Sequence, residues 1–306
     1  MLPAVASCAG TSLWQFAHAV LPLQRCLTVQ QSTLWSSQRH MSTAELQVQV
    51  EPLSTPNEGI SVVSLARSGA KNAIGRQLLR ELQEALNTLR QERTTRVVVL
   101  RSSCPGTFCA GADLKERATM TQAETAEFVG SLRRSFSDLA GLPMPTIAVL
   151  EGYAFGGGAE LALACDLRVA DTRAELAFPE ARLGIMPGAG GTQRLPRLVG
   201  LSKAKELIYT ARRVCGTEAV RLGLADHCVE EGKAMERALE LAREIAQSAP
   251  LSLRSAKAAI NQGVEVDLAT GLKLEEYLYA QLIPTRDRLE GLKAFAEKRK
   301  PNYMGE

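Results

Sequence analysis

Histidine is scarce in this chain. Only three of its 306 residues are histidine, and only His227 lies beyond residue 40. Catalytic triads that pair a nucleophile with histidine need that side chain, and so do metal sites built from several imidazoles. A single histidine that follows an apolar stretch is more often structural. Acid–base chemistry in this chain therefore falls to carboxylates, and we expect no metal site.

Long apolar runs and a strong net charge are also missing. No apolar segment reaches the roughly 20 residues that a membrane-spanning helix needs, so membrane insertion is not expected. The formal net charge of +3 is too small to indicate a nucleic-acid-binding protein. Five of the seven cysteines lie beyond residue 40 and form no CxxC pair, which favours reduced thiols over disulfides or zinc ligands.

The first forty residues contain neither aspartate nor glutamate, and Glu45 is the first acidic residue. A segment free of acidic residues and rich in serine is typical of mitochondrial and plastid transit peptides. We predict a transit peptide over residues 1–40, with the mitochondrial matrix as the destination and a plastid as the alternative. Because two arginines are few for such a segment, a disordered tail is the other interpretation. Residues 41–306 are predicted to form a single domain.

Strand patterns occur in the first part of this domain. The β-branched runs at 46–50 and 60–66 are separated by a turn-like segment and predict a hairpin. Further strands are predicted at 96–102, 145–152 and 166–170.

Helix patterns alternate with these strands. Apolar residues fall on one helical face from Ile74 to Leu89, and Thr121 with Glu124 forms a capping box for a helix that runs to about Leu139. This alternation predicts an α/β core over about residues 45–200. From about 201 to 306 the pattern is helical throughout, and we predict a helical C-terminal region.

Two strand-to-helix junctions are rich in glycine: FCAGADLK at 108–115 and FGGGAEL at 155–161. Neither matches the P-loop or the dinucleotide-binding pattern, so phosphate binding through those motifs is not supported. Glycine allows a close approach of backbone or ligand, and amides at a helix start point outward. Two such amides that converge on one oxygen would form an oxyanion hole, although tight packing of helix on strand would also explain either cluster.

Two carboxylates stand among apolar residues near these junctions. Glu160 lies inside GGGAELALACD, and Glu180 follows Pro179 at the start of a predicted helical turn. Ionised carboxylates are costly in apolar surroundings unless they are paired, hydrogen-bonded or used in chemistry. Glu180 alone would be explained by the helix dipole, but the pair needs a joint explanation.

Three segments carry a resemblance to a known family: FCAGADLKE, GGGAELALACDLRVA and PEARLGIMPGAGGTQRLPR. They closely resemble the enoyl-CoA hydratase (crotonase) family, and the likeness extends over about 45 to 306. The chain is most similar to the mitochondrial branch that holds methylglutaconyl-CoA hydratase and the enoyl-CoA hydratase domain-containing proteins. The resemblance implies a spiral of ββα units with a C-terminal helical region that trimerises, often into hexamers.

The resemblance also implies roles for individual residues. The amides of Ala112 and Gly157 would hold the thioester oxygen, Glu160 would activate water for attack at Cβ, and Glu180 would deliver a proton to Cα. Binding of the CoA moiety would fall to Gly111, Asp113, Lys115 and Lys298, with a solvated surface charge as the alternative interpretation of each lysine. Coenzyme A belongs to the substrate, so no separate cofactor is expected.

The implied activity is that of a hydro-lyase acting in fatty-acid or leucine breakdown. Isomerase or decarboxylase activity is the nearest rival, although isomerases of this family commonly keep only one of the two carboxylates. A methylglutaconyl substrate would favour a cation near the acyl end of the site. Arg182 is the candidate for this cation, and the alternative is that Arg182 is an ordinary exposed arginine on a helix. AU-rich RNA binding through Arg76 and Arg80 is a further alternative, which is not favoured because Glu84 interrupts the basic face.

Overall fold

The computed structural model describes residues 45–306. The transit peptide predicted over residues 1–40 lies outside these described residues. Among residues 45–306, no helix combines the length and the apolar character needed to cross a membrane.

A six-stranded sheet forms the centre of the fold, in the order β1-β2-β3-β5-β7-β10. Its strands are β1 (Val48–Pro52), β2 (Ile60–Leu65), β3 (Val97–Ser102), β5 (Thr146–Leu150), β7 (Leu167–Asp171) and β10 (His227–Val229). The first pair is the predicted hairpin, with Val50 opposite Val63, and every other neighbouring pair is parallel.

A smaller sheet of four strands has the order β4-β6-β8-β9, with the last strand antiparallel. Its strands are β4 (Thr107–Cys109), β6 (Tyr153–Phe155), β8 (Glu175–Ala177) and β9 (Val214–Cys215). From β3 to β8 the chain three times enters a strand of the large sheet and then a strand of the small sheet, and one or more helices follow each such pair. This is the predicted spiral of ββα units.

Eleven α-helices occur within residues 45–306. They are α1 (Arg76–Gln91), α2 (Leu114–Arg117), α3 (Gln122–Ala140), α4 (Gly157–Leu163), α5 (Gly191–Val199), α6 (Leu201–Thr210), α7 (Gly216–Leu222), α8 (Ala234–Ala246), α9 (Pro250–Gly263), α10 (Leu268–Leu282) and α11 (Arg286–Ala296). Two 3₁₀ helices, Ser68–Ala70 and Pro179–Leu183, complete the elements. The predicted capping box is present, because Thr121 and Glu124 exchange hydrogen bonds at the start of α3.

Both faces of the large sheet are buried, which explains why its strands are continuous apolar runs. In β3, Val98 and Leu100 face the main core beneath α1 and α3, whereas Val97 and Val99 face a second cluster. Helix α8 covers that second cluster with a stripe of small side chains, Ala234, Ala238 and Ala242. The sheet is therefore a layer between helices.

Two predictions were wrong in detail. The region after residue 200 is not entirely helical, because β9 joins the small sheet and β10 joins the edge of the large one. Ile74 does not belong to α1, which begins at Arg76; it instead forms an isolated bridge with Ala112. The bridge arises because the Ile74 amide donates to the Gly111 carbonyl (2.7 Å), and the Asp113 amide donates to the Ile74 carbonyl (3.0 Å).

Candidate active site

The two glycine-rich junctions meet in space. Gly111 has a φ of 92°, and a Cβ atom there would lie 2.7 Å from the Phe155 carbonyl oxygen and 3.4 Å from the Gly157 nitrogen. A Cβ atom on Gly157 would lie 3.6 Å from the Ala112 nitrogen. The first of these distances is too short for any side chain, so glycine at 111 permits the approach of the two backbones.

Two amides at this meeting point remain available as donors. Gly157 is the first residue of α4, where amides have no partner within the helix. The bridge to Ile74 uses the Gly111 carbonyl and the Asp113 amide, not the amide of Ala112. Within residues 45–306, neither the Ala112 amide nor the Gly157 amide donates a hydrogen bond to a protein group. Two neighbouring amides without a protein acceptor are the kind of donors that an oxyanion hole would need.

A cavity of about 180 Å³ opens beside these amides. Ala112, Gly157, Glu160 and Glu180 all line it. Much of its remaining wall is apolar: Val129, Leu132, Phe155, Leu183, Ile185 and Met186. The structure therefore brings together both predicted amides and both predicted carboxylates around one small, mostly apolar space.

Glu160 lies in the first turn of α4, is 3% exposed, and has strong support from neighbouring amides. Its Oε1 atom accepts hydrogen bonds from the Ala189 amide (2.8 Å) and the Gly191 amide (2.7 Å). Burial raises the pKa of Glu160 above its ordinary value, and the two amides together with the nearby Arg194 and Arg133 reduce that rise without cancelling it. Amides that donate to a carboxylate favour its ionised form, which suits a base.

Glu180 lies at the second position of the 3₁₀ helix, as the preceding proline predicts, and is 8% exposed. Its Oε2 atom is buried and has no hydrogen-bond partner among the described residues. Burial, with a contribution from the negative charge of Glu160, raises the pKa of Glu180 from its ordinary value of 4.5 to about 7. A carboxyl group in such a site keeps its proton near neutral pH and suits an acid.

The other residues predicted to bind CoA lie in different places. Gly111 lines the cavity, but Lys115 and Lys298 are exposed and do not. Asp113 caps α2 by accepting from the Lys115 and Glu116 amides, and it forms an ion pair with Arg67 at 2.7 Å. The CoA-binding roles of these residues stay predictions.

Arg182 does not line the cavity, and its guanidinium donates to the Thr210 carbonyl at 2.7 Å. The side chain is exposed, as the alternative interpretation expected. Arg117, a residue that the sequence analysis did not single out, lines the cavity instead. In the part of the chain that the structure describes, no group of three His, Cys, Asp or Glu side chains could hold a metal ion.

The chain matches the family model described as enoyl-CoA hydratase/isomerase over residues 55–306. Methylglutaconyl-CoA hydratase, mitochondrial, from Homo sapiens is 50% identical over 266 residues, which cover 86% of this chain and 78% of that protein. Enoyl-CoA hydratase domain-containing protein 2, mitochondrial, from Homo sapiens is 52% identical over 263 residues, which cover 85% of this chain and 90% of that protein.

Solved structures show the same likeness. The crystal structure of enoyl-CoA hydratase from Bacillus anthracis has a TM-score of 0.82 and 46% identity, and the match covers 85% of this chain and 100% of that one. An enoyl-CoA hydratase structure from Geobacillus kaustophilus has a TM-score of 0.81 at 33% identity. The resemblance inferred from three sequence segments is thus confirmed, and the chain belongs to the enoyl-CoA hydratase/isomerase family.

Proposed function

We propose that this protein is a hydro-lyase that adds water across the 2,3 double bond of an enoyl-CoA thioester. One observation carries the proposal: two carboxyl groups of different environment face one small cavity beside two available amides. Hydration needs a base for water, an acid for Cα and a site for the developing enolate oxygen. The cavity supplies a candidate for each.

The proposed reaction follows from these positions. Glu160 takes a proton from water as the water oxygen bonds to Cβ. The electrons of the double bond move onto the thioester carbonyl, whose oxygen accepts hydrogen bonds from the Ala112 and Gly157 amides. Glu180 gives its proton to Cα, the carbonyl re-forms, and the proton gained by Glu160 balances the one lost by Glu180. No cofactor beyond the CoA of the substrate takes part in this proposal.

The environments of the two carboxyl groups favour this assignment over its reverse. Two backbone amides support negative charge on Glu160, whereas the Oε2 atom of Glu180 has no such donor within the described residues. The carboxyl group with the donors is the one more readily ionised and so able to accept a proton, and the one whose pKa is raised to about 7 keeps a proton to give.

The experiment that tests the proposal is a comparison of two reactions. We expect the full chain to consume crotonyl-CoA, followed by the loss of enoyl-thioester absorbance, and to shift the double bond of a 3-enoyl-CoA much more slowly. The control variant Glu58→Gln, at an exposed position outside the cavity, should match the wild type. Fast isomerisation without hydration would instead assign the isomerase activity.

The acyl group comes, in this proposal, from fatty-acid or leucine breakdown. One relative is named for methylglutaconyl-CoA, and both human relatives are named as mitochondrial proteins. Together with the acid-free first forty residues, these names support the mitochondrial matrix as the location. Import of a fluorescent protein fused to residues 1–45 would test this, and a cytosolic signal would contradict it.

We also propose that the protein is a homo-oligomer, a trimer or a dimer of trimers. The C-terminal helices leave many large apolar side chains exposed: Ile260, Val264, Leu268, Leu272, Tyr277, Tyr279, Ile283, Leu289, Leu292 and Phe295. So many large exposed apolar side chains within one region of the chain favour an interaction site there. Light scattering would give the mass of the assembly, and a monomer would contradict the proposal.

RNA binding is not part of this proposal. Arg76, one of the two arginines considered for it, forms an ion pair with Glu124 at 3.0 Å and lies 3.9 Å from a Glu116 oxygen. Two carboxylates therefore already neutralise this guanidinium, which lowers its attraction for phosphate.

A further inference from the structure

Arg117 is unlike the other cations near the carboxylates. The guanidinium groups of Arg133 and Arg194 donate to the carbonyl oxygens of Gly188 and Ala189. Arg117 also lines the cavity, but within residues 45–306 its guanidinium has neither an ion pair nor a hydrogen bond. A cation at the edge of a mostly apolar cavity is costly unless it meets an anion or water. An anionic group on the ligand would satisfy this guanidinium.

The short helix α2 explains why Arg117, and not Lys115, faces this space. Residues three apart lie on the same side of a helix, and residues two apart do not. Leu114 and Arg117 both line the cavity, whereas Lys115 does not and is exposed. Arg117 is itself half-buried. The two cations of α2 therefore face different surroundings, one the cavity and the other solvent.

The place of Arg117 in the cavity is separate from the reacting centre. Burial and the charge of Glu160 account for the raised pKa of Glu180, and no cation lowers it. Within residues 45–306, Arg117 forms no ion pair and no side-chain hydrogen bond with Glu160 or Glu180, and Glu160 accepts from the amides of Ala189 and Gly191 instead. A guanidinium that lines the cavity without pairing with either carboxyl group can meet a part of the ligand distant from the double bond.

We propose that Arg117 determines substrate specificity by binding a second carboxylate, at the distal end of the acyl chain of the enoyl-CoA. The inference rests on the proposed hydratase function and adds the substrate class to it. A carboxylate that enters a cavity already holding Glu160 and Glu180 meets two acidic groups and apolar walls, so it needs a cation there. A guanidinium suits this task because its planar fork donates two parallel hydrogen bonds to one carboxylate.

The test compares two substrates of similar length, glutaconyl-CoA, whose acyl chain ends in a carboxylate, and 2-hexenoyl-CoA, whose chain ends in a methyl group. We expect the full-length wild type to prefer glutaconyl-CoA in kcat/KM. Arg117→Met should lower kcat/KM for glutaconyl-CoA by about 10- to 100-fold, mainly through KM, because a hydrogen bond to a charged group is lost. Hydration of 2-hexenoyl-CoA should change by less than about twofold, and Arg117→Lys should retain part of the preference.

Arg182→Met is the matched control, because it removes an arginine that lies outside the cavity. Its ratio of the two kcat/KM values should equal that of the wild type. An equal loss on both substrates in Arg117→Met would overturn the inference, since it would place Arg117 against the CoA moiety or assign it a structural role. A wild type that hydrates 2-hexenoyl-CoA but has no preference for glutaconyl-CoA would also overturn it. Failure to hydrate either substrate would instead contradict the proposed function itself.

Discussion

The two walls of the cavity that carry the carboxyl groups are built differently. On one side, the loop before α5 and the first residue of that helix direct the amides of Ala189 and Gly191 at Glu160. On the other, Glu180 stands on a short 3₁₀ helix, and its Oε2 atom is buried without a donor among the described residues. The same type of side chain therefore becomes a supported anion on one wall and a proton-retaining acid on the other.

The largest expected effect is the loss of activity when the carboxyl group of either wall is replaced. Glu160→Gln and Glu180→Gln should each lower kcat for crotonyl-CoA hydration by about 100- to 10,000-fold, because each removes one proton-transfer group. Exchange of the Cα proton of butyryl-CoA with deuterium oxide needs only Glu180 and the two amides. Glu160→Gln should therefore retain this exchange, and Glu180→Gln should lose it. Loss of exchange in Glu160→Gln alone would reverse the assignment of the two roles.

A smaller effect is expected from a change in the wall behind Glu160. A Cβ atom on Gly191 would lie 2.8 Å from the Pro187 Cβ atom and 3.0 Å from the Glu160 Oε1 atom. Gly191→Ala should displace this carboxylate from its amides and lower kcat/KM by about tenfold, the equivalent of about 1.4 kcal/mol.

The control for this prediction is Gly130→Ala in the middle of α3, where a Cβ atom would meet only the flexible end of Arg134 at 3.4 Å. It should keep full activity and raise the free energy of unfolding by about 0.5–1 kcal/mol, because alanine is favoured over glycine inside a helix. If Gly191→Ala were as active as Gly130→Ala, the support of Glu160 by these amides would be unimportant for catalysis.

The wall around Glu180 should also affect stability, in a pH-dependent way. The folded-state pKa of about 7 lies above the ordinary value of 4.5. Between these two pH values the folded protein therefore holds a proton that the unfolded chain has released. Stability contributed by this group is therefore present below about pH 4.5, is lost as the pH rises to about 7, and amounts to at most about 3 kcal/mol.

Glu180→Gln, which cannot ionise, should avoid that loss. Its melting temperature should exceed that of the wild type at pH 8 and approach it at pH 5. The same substitution at Glu160 should bring less stabilisation at pH 8, because two amides already support the negative charge there. Equal stabilisation by the two substitutions would contradict the difference between the walls.

The sequence predicted those strands and helices whose pattern of apolar residues is long enough to be recognised. Strands such as β3 and β5 are runs of apolar residues buried on both faces, and α1 and α3 carry clear helical faces. The strands of the small sheet have two or three residues each, too few for a period to be visible. The same shortness hid β9 and β10 among the helices that follow residue 200.

In the candidate site, too, some residues could be predicted from the sequence and others could not. Glu160 and Glu180 could be predicted because charge inside an apolar, glycine-rich segment is costly and needs an explanation. Arg117 could not, because LKER is typical of a solvated helix face. Only the spacing of Leu114 and Arg117, three residues apart, hinted that these two side chains lie on one face of this turn. The amides of Ala189 and Gly191 carry no side-chain signal, since any residue offers the same N–H group.

The most direct test of the difference between the two walls is the pH dependence of kcat/KM for crotonyl-CoA, measured from about pH 5 to about pH 9. We predict that kcat/KM falls above a pKa of about 7, by about tenfold for each further pH unit, as the proton held by the pair of carboxyl groups is lost. A rate that stays constant or rises to pH 9 would show that no carboxyl group in this cavity holds the reacting proton, and would contradict the account.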